Sequence, residues 1–206
     1  MNYARHTLCY LDRQATATNF HCSEHKSLFY YWLQRGYPFI FTRQPLDIAP
    51  DKIQLAIAYF KVQQAQKLRS NYVIDTLWVS KVEELPTLQR IFPYLEHCTA
   101  FDIKVYGSYC WQYLTQEPYV QPSSDLDLLV RYEHQSQLIL AKLHQELQAK
   151  LNVSCIDGEV RFAQLGDCSW QELVHTSSDS ILFKSMNNVV LLRREQLYDM
   201  YPALFS

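Results

Sequence analysis

Glycine is scarce in this 206-residue chain, occurring only at Gly36, Gly107, Gly158 and Gly166. That scarcity limits the places where the backbone can take a left-handed turn or let a ligand approach closely. Neither the Walker nor the Rossmann glycine pattern can be assembled from these four positions, so both phosphate-loop architectures are excluded. What remains for phosphate chemistry is Gly107-Ser108, which follows the apolar run Ile103–Tyr106 and so stands where a strand turns into a helix. A glycine there admits a phosphate, a serine hydroxyl can bond it, and a helix N-terminus favours its charge.

The second informative stretch is Asp125-Leu126-Asp127-Leu128-Leu129-Val130. In a strand, residues two apart share a side, so Asp125 and Asp127 project together while Leu126 and Leu128 face a core. Two carboxylates converging at a strand end repel each other unless a cation lies between them, and hard oxygen ligands favour Mg²⁺. An Asp-x-Asp alone is a weak signal; Gly-Ser followed by an alternating strand that carries it is a much stronger one. Together they fit phosphoryl or nucleotidyl transfer.

The rest of the chain sets this pair in context. Ser23–Arg35 reads as a helix capped by Ser23 and ended at Gly36. Strands are expected over Phe39–Arg43, Ile53–Val62 and Tyr72–Val82, with a helix opened by Pro86 and running to Leu95. Strand, helix, strand, helix, strand then follow as Ile103–Tyr106, Ser108–Leu114, Leu126–Arg131, Gln135–Leu151 and Val153–Phe162. Ser169-Trp170-Gln171-Glu172 reads as a capping box, and Ile181–Ser185 with Val189–Arg193 as a hairpin. This order predicts an α+β fold: a mixed sheet flanked by helices, preceded by a smaller strand-rich N-terminal domain. The expected boundaries are residues 1–94 for a substrate-binding domain and 95–206 for a catalytic one.

Nearly half of the residues are hydrophobic, enough for a proper core, and no stretch approaches the length of a membrane span. A soluble cytoplasmic protein without a membrane partner is the expectation. The formal net charge of −2 provides no global field for a nucleic-acid polymer, so a polyanionic ligand must meet a local group of Arg and Lys. Six scattered cysteines without a C-x-x-C pair read as reduced, mostly buried side chains.

Gly107-Ser108 with Asp125-x-Asp127 resembles the signature of the DNA polymerase β-like nucleotidyltransferase superfamily. The run Gly-Ser-Tyr-Cys-Trp-Gln-Tyr-Leu-Thr-Gln-Glu-Pro-Tyr-Val-Gln-Pro-Ser-Ser-Asp-Leu-Asp-Leu-Leu, Gly107 to Leu129, more narrowly resembles the phosphoribosyl-dephospho-CoA transferases of malonate decarboxylase. Arg5-His6, Gly36-Tyr37-Pro38 leading to Arg43, Lys67-x-Arg69, Asp157-Gly158-Glu159 and Ile181–Lys184 fall in that family's order. Two departures stand out: Gln116 replaces a usual glycine, and Ala56–Gln66 replaces a segment containing Gly and Pro.

The resemblance implies a nucleotidyltransferase-like fold and an enzyme that attaches a prosthetic group. Its substrate would be triphosphoribosyl-dephospho-CoA, its acceptor a serine of the apo acyl carrier subunit of malonate decarboxylase, and its product besides the modified protein diphosphate. It further implies a third carboxylate, for which Asp157 and Glu159 are the candidates. Glu159 is slightly favoured because it lies further into the strand, so the expected metal set is Asp125, Asp127 and Glu159. Gly158 between the two candidates is expected to leave room for a bulky ligand. Gly107 and Ser108 would hold phosphates, with Arg43, Lys67, Arg69 and Lys184 as candidate cations for the substrate. The alternatives are the same transfer to the citrate lyase carrier protein, a generic adenylyltransferase, or a degenerate module that binds a nucleotide or partner without catalysis.

Overall fold

A computed structural model describes residues 3–61, 66–95, 101–175 and 177–205. They form an α+β protein with two sheets and six α-helices, clustered into two compact units. One unit takes Met1–Leu85 with Trp111–Tyr119, the other Pro86–Cys110 with Val120–Ser206.

In the first unit, β1 (Leu8–Leu11), β2 (Phe39–Phe41), β3 (Lys52–Lys61), β4 (Gln66–Asp75) and β5 (Val79–Glu83) make a five-stranded sheet in the order β4-β3-β2-β1-β5. All pairs are antiparallel, β3 and β4 forming a ten-residue ladder. Helix α1 (Ser23–Arg35) buries Leu28, Phe29, Trp32 and Leu33. Phe29 packs on Phe39 and Tyr72 with ring centroids 5.5 and 5.0 Å apart, and the Trp32 indole donates to the Pro38 carbonyl at 2.8 Å. Gly36, at φ 67°, ends α1 as expected, but the cap at its start is Cys22, whose Sγ accepts from the His25 amide at 3.4 Å, and not Ser23.

The expected strand Tyr72–Val82 is two strands. A 3₁₀ turn over Thr76–Trp78 separates β4 from β5, and β4 starts six residues earlier. The helix expected from Pro86 is shorter: Thr87 caps α2 (Leu88–Ile91), and a 3₁₀ turn follows over Pro93–Leu95.

The second unit holds a six-stranded sheet in the order β11-β10-β9-β8-β7-β6. Its strands are β6 (Ile103–Tyr106), β7 (Leu126–Arg131), β8 (Ile156–Phe162), β9 (Gly166–Ser169), β10 (Ser180–Lys184) and β11 (Val189–Arg193). Only β7 and β8 are parallel, joined through α4 (Gln137–Lys150). Helix α3 (Gly107–Thr115) leaves β6 directly, α5 (Trp170–Val174) follows β9, and α6 (Arg194–Met200) follows β11. The hairpin of β10 and β11 has the expected bounds to within a residue.

One face of this sheet is apolar. Ile103 and Val105, Leu126, Leu128 and Val130, Ile156 and Val160, and Ile181 and Phe183 are all buried and share it by strand parity. Helices α4 and α5 supply Leu140, Leu143, Leu147, Trp170 and Leu173 to the core, each buried leucine contributing roughly 1.5–3 kcal/mol. Gly158 lies on this side: a side chain there would stand 3.1 Å from the Trp170 ring and 2.9 Å from the Leu128 carbonyl. The glycine therefore makes room for an indole, where room for a ligand was expected. Ser169 caps α5 by accepting from the Glu172 amide at 3.3 Å, while Glu172 accepts from the Leu182 amide at 3.4 Å.

Below α5, Arg194 is 8% exposed, and its guanidinium donates to four backbone carbonyls: Ser178 at 2.6 Å, Leu173 at 3.1 Å, His175 at 2.5 Å, and Glu172. The C-terminal carbonyls of α5 thus receive their partners from one buried cation.

Candidate active site

The opposite face of the second sheet carries nearly all of its polar side chains. Alternation places Asp127 on that face of β7, Asp157, Glu159 and Arg161 on β8, Asp167 and Ser169 on β9, and Lys184 on β10. The residues that bury the core and those that could do chemistry are the two halves of one period-two pattern.

Register sets which carboxylates are neighbours across the sheet. Asp127 pairs with Asp157 across the parallel β7/β8 ladder, whereas Glu159 stands beside Leu129. Asp125 precedes β7, and its neighbour Leu126 donates to the Cys155 carbonyl at 2.9 Å. The Ser154 hydroxyl donates to the Ser124 carbonyl at 2.8 Å, tying together the chain segments that enter the two strands. Burial, and after it the charges of Asp125 and Asp157, raise the Cys155 thiol above its ordinary pKa, so both carboxylates act on one point at this sheet end. Asp125 and Asp157 are exposed and Asp127 is half-buried. Asp157 Oδ1 accepts from the Gly158 amide at 2.8 Å.

The glycine-serine step joins the same group. Tyr106 pairs with Asp127 at the end of the antiparallel β6/β7 ladder, and the next residue, Gly107, turns at φ 67° into α3. A Cβ at Gly107 would overlap the Asp127 carboxylate. Only glycine supplies both the left-handed backbone and that clearance. Ser108, half-buried, occupies the first turn of α3.

Asp127 and Asp157 on adjacent strands, with Asp125 just before the first of them and a helix start alongside, offer the carboxylate oxygens that a hard divalent cation such as Mg²⁺ prefers. Glu159 differs from these three. It is 8% exposed, and its Oε1 lies 3.5 Å from Lys184 Nζ. Next along the face, Arg161 grips Asp167 with both arms, Nε to Oδ1 at 2.7 Å and Nη2 to Oδ2 at 2.8 Å, and Asp167 is 1% exposed. Neither ion pair was anticipated from the sequence. The parity of Asp157, Glu159 and Arg161 was the available signal, but the partners depend on strand register.

The N-terminal candidates belong to the other unit. Arg43 is exposed just after β2, and its carbonyl accepts from Gln54 Nε2 at 3.3 Å. Arg69 is exposed on β4 opposite Ala58. Lys67 occupies the position opposite Phe60 in the same ladder, and its side chain lies outside the described residues. Trp111 is buried, its ring 5.3 Å from that of Trp32, so it packs in the core.

Fold and site together define a two-sheet α+β protein whose second sheet carries Asp127 and Asp157 side by side at one end, with Asp127 against the glycine that initiates a helix. Residues 73–195 match the family model described as phosphoribosyl-dephospho-CoA transferase MdcG C-terminal domain, and the chain belongs to that family. A phosphoribosyl-dephospho-CoA transferase of Bradyrhizobium diazoefficiens is 37% identical over 115 residues, 54% of this chain, so that the match spans about half (48%) of that relative. Proteins of the same description from Xanthomonas axonopodis pv. citri and Xanthomonas euvesicatoria pv. vesicatoria are 26% identical over 184 residues and 27% over 188. Those matches cover 81% and 84% of this chain and 84% and 86% of the relatives. No solved structure matches the chain. No helix among the described residues is long and apolar enough to cross a membrane.

Proposed function

We propose that this protein transfers the phosphoribosyl-dephospho-CoA group from triphosphoribosyl-dephospho-CoA to a serine of the apo acyl carrier subunit of malonate decarboxylase, releasing diphosphate. Family membership supports the substrate class. The observation that carries the chemistry is the contact between Gly107 and Asp127, which brings the glycine-serine turn and the paired carboxylates to one sheet end. Strand order and the placement of both motifs fit a nucleotidyltransferase-like fold.

In this reading Asp125, Asp127 and Asp157 would hold Mg²⁺, with Asp157 as the third carboxylate because it is the neighbour of Asp127 in the ladder. The bound metal would neutralise charge on the phosphates and lower the pKa of the incoming hydroxyl. Ser108 and the first amides of α3 receive the outer phosphates, where the helix start favours negative charge. Lys184 supplies a cation on the same face. The serine oxygen bonds to the α-phosphorus as the bond to the leaving diphosphate breaks, and the serine proton passes to solvent. Arg43, Lys67 and Arg69 are assigned to the dephospho-CoA portion, so removing their charge raises KM more than it lowers kcat.

The test is a mass measurement on the apo carrier subunit after incubation with the protein, the triphosphoribosyl substrate and Mg²⁺. A gain equal to the prosthetic group, with diphosphate released, is expected. An unmodified carrier, or transfer of AMP from ATP instead, would refute the assignment.

A further inference from the structure

The Glu159–Lys184 pair has a direction. Through Asp167, the register sets Lys184 level with Arg161, yet the ammonium meets Glu159, two residues closer to the start of β8, where Asp157 stands. Glu159 is nearly buried and fixed in the sheet, while the Lys184 side chain is 45% exposed. The carboxylate is therefore the anchor and the ammonium the part that leans towards the aspartates. An ammonium has three donors and can bind a carboxylate and a phosphate oxygen at the same time. Asp167, the lateral neighbour of Lys184, is bound at both oxygens by Arg161.

We infer that Glu159 is a positioning residue: the counter-charge that draws Lys184 towards the carboxylate end as a contact for polyphosphate, and limits how tightly that contact holds. The inference rests on the reading of this sheet end as a metal and polyphosphate site, and it gives Glu159 a role other than metal ligand. The two roles predict effects of opposite sign. Removing a metal ligand weakens Mg²⁺-dependent binding of an anion; removing a counter-charge while keeping an oxygen that accepts from Lys184 strengthens it.

Calorimetric binding of inorganic triphosphate with Mg²⁺ separates them without requiring transfer. Glu159→Gln is expected to tighten binding by about fivefold, with the Mg²⁺ midpoint unchanged. Lys184→Met is expected to weaken it about tenfold, and Lys184→Arg to restore most of the loss. In turnover, Glu159→Gln should lower KM and kcat together because diphosphate leaves more slowly. Weaker binding or a higher Mg²⁺ midpoint in Glu159→Gln would make Glu159 a metal ligand and overturn the inference. An unchanged affinity in Lys184→Met would overturn it even if Glu159→Gln failed to fold, and Lys184→Gln, which keeps a polar donor beside Glu159, repeats the test without the charge. Absence of triphosphate binding to the wild type would also overturn it. If these binding shifts occur in a protein that does not modify the carrier subunit, the proposed reaction fails and the inference stands.

Discussion

Gly107 and Asp127 sit so close that no side chain fits between them: the Asp127 carboxylate fills the place a Cβ of Gly107 would take. Residues twenty positions apart in sequence thus depend on each other's shape. Gly107→Ala adds a methyl group at a positive φ and displaces a carboxylate assigned to the metal. Destabilisation of about 1–3 kcal/mol by thermal unfolding is expected, with at least a hundredfold loss of transfer. Wild-type turnover in this variant would mean that Asp127 is not held where the chemistry needs it.

The three aspartates should act as a set. Asp125→Asn, Asp127→Asn and Asp157→Asn each keep the shape of the side chain while removing the charge that holds a cation. Each should lower kcat by about two orders of magnitude or more, with an unchanged circular dichroism spectrum. Near-normal turnover in Asp157→Asn, with collapse in Glu159→Gln, would move the third carboxylate to Glu159.

Arg194 carries a different kind of prediction. Lysine at this position keeps the charge but offers three donors from one atom, in place of a planar fork that reaches four carbonyls. Arg194→Lys should cost about 2–4 kcal/mol in urea unfolding, the price of leaving buried carbonyls without partners.

Stability should fall at alkaline pH for a definable reason. Burial raises the Cys9 thiol from 9.0 to about 12 and the Tyr72 hydroxyl from 10.0 to about 12. As pH rises past the ordinary values, the unfolded chain loses these protons while the folded chain keeps them, so the unfolded state binds fewer and unfolding becomes easier. The urea midpoint should decline from about pH 9 towards pH 12, and Cys9→Ser with Tyr72→Phe should flatten the decline.

Sequence periodicity revealed β7 and α4 because an alternating or helical apolar stripe is a local property. Leu126, Leu128 and Val130, or Leu140, Leu143 and Leu147, announce a face without reference to any other strand. Strand β9 was not legible: Gly166-Asp167-Cys168-Ser169 has weak strand propensity, and its pairing with β8 and β10 overrides that. Nor was the division of Tyr72–Val82, since the 3₁₀ turn at Thr76–Trp78 contains no glycine or proline to mark it. Gln116 shows the opposite case, a family departure with a structural meaning: it adopts φ 60° just past α3, a conformation glycine takes without strain, and its side chain donates to the Tyr113 carbonyl at 2.7 Å.

For the site, the residue types were legible and the pairings were not. Asp157 and Glu159 look equivalent in sequence because both have the same parity. The β7/β8 register separates them, setting one beside a carboxylate and the other beside a leucine. Lys184 is twenty-five residues from Glu159, and only the intervening β9 decides that the two meet.

Helix α3 belongs to both compact units: its first four residues, Gly107–Cys110, cluster with the second sheet, and Trp111–Thr115 with the first. No single cut of the backbone can therefore release either unit whole. A fragment ended at Leu85 loses Trp111 from against Trp32, together with Thr115 and Glu117, which accept from the Tyr37 hydroxyl at 3.0 and 3.3 Å. A gene fragment encoding the front half alone would express a protein with an opened aromatic core, whereas a circularly rearranged chain that keeps residues 111–119 with the first sheet would not.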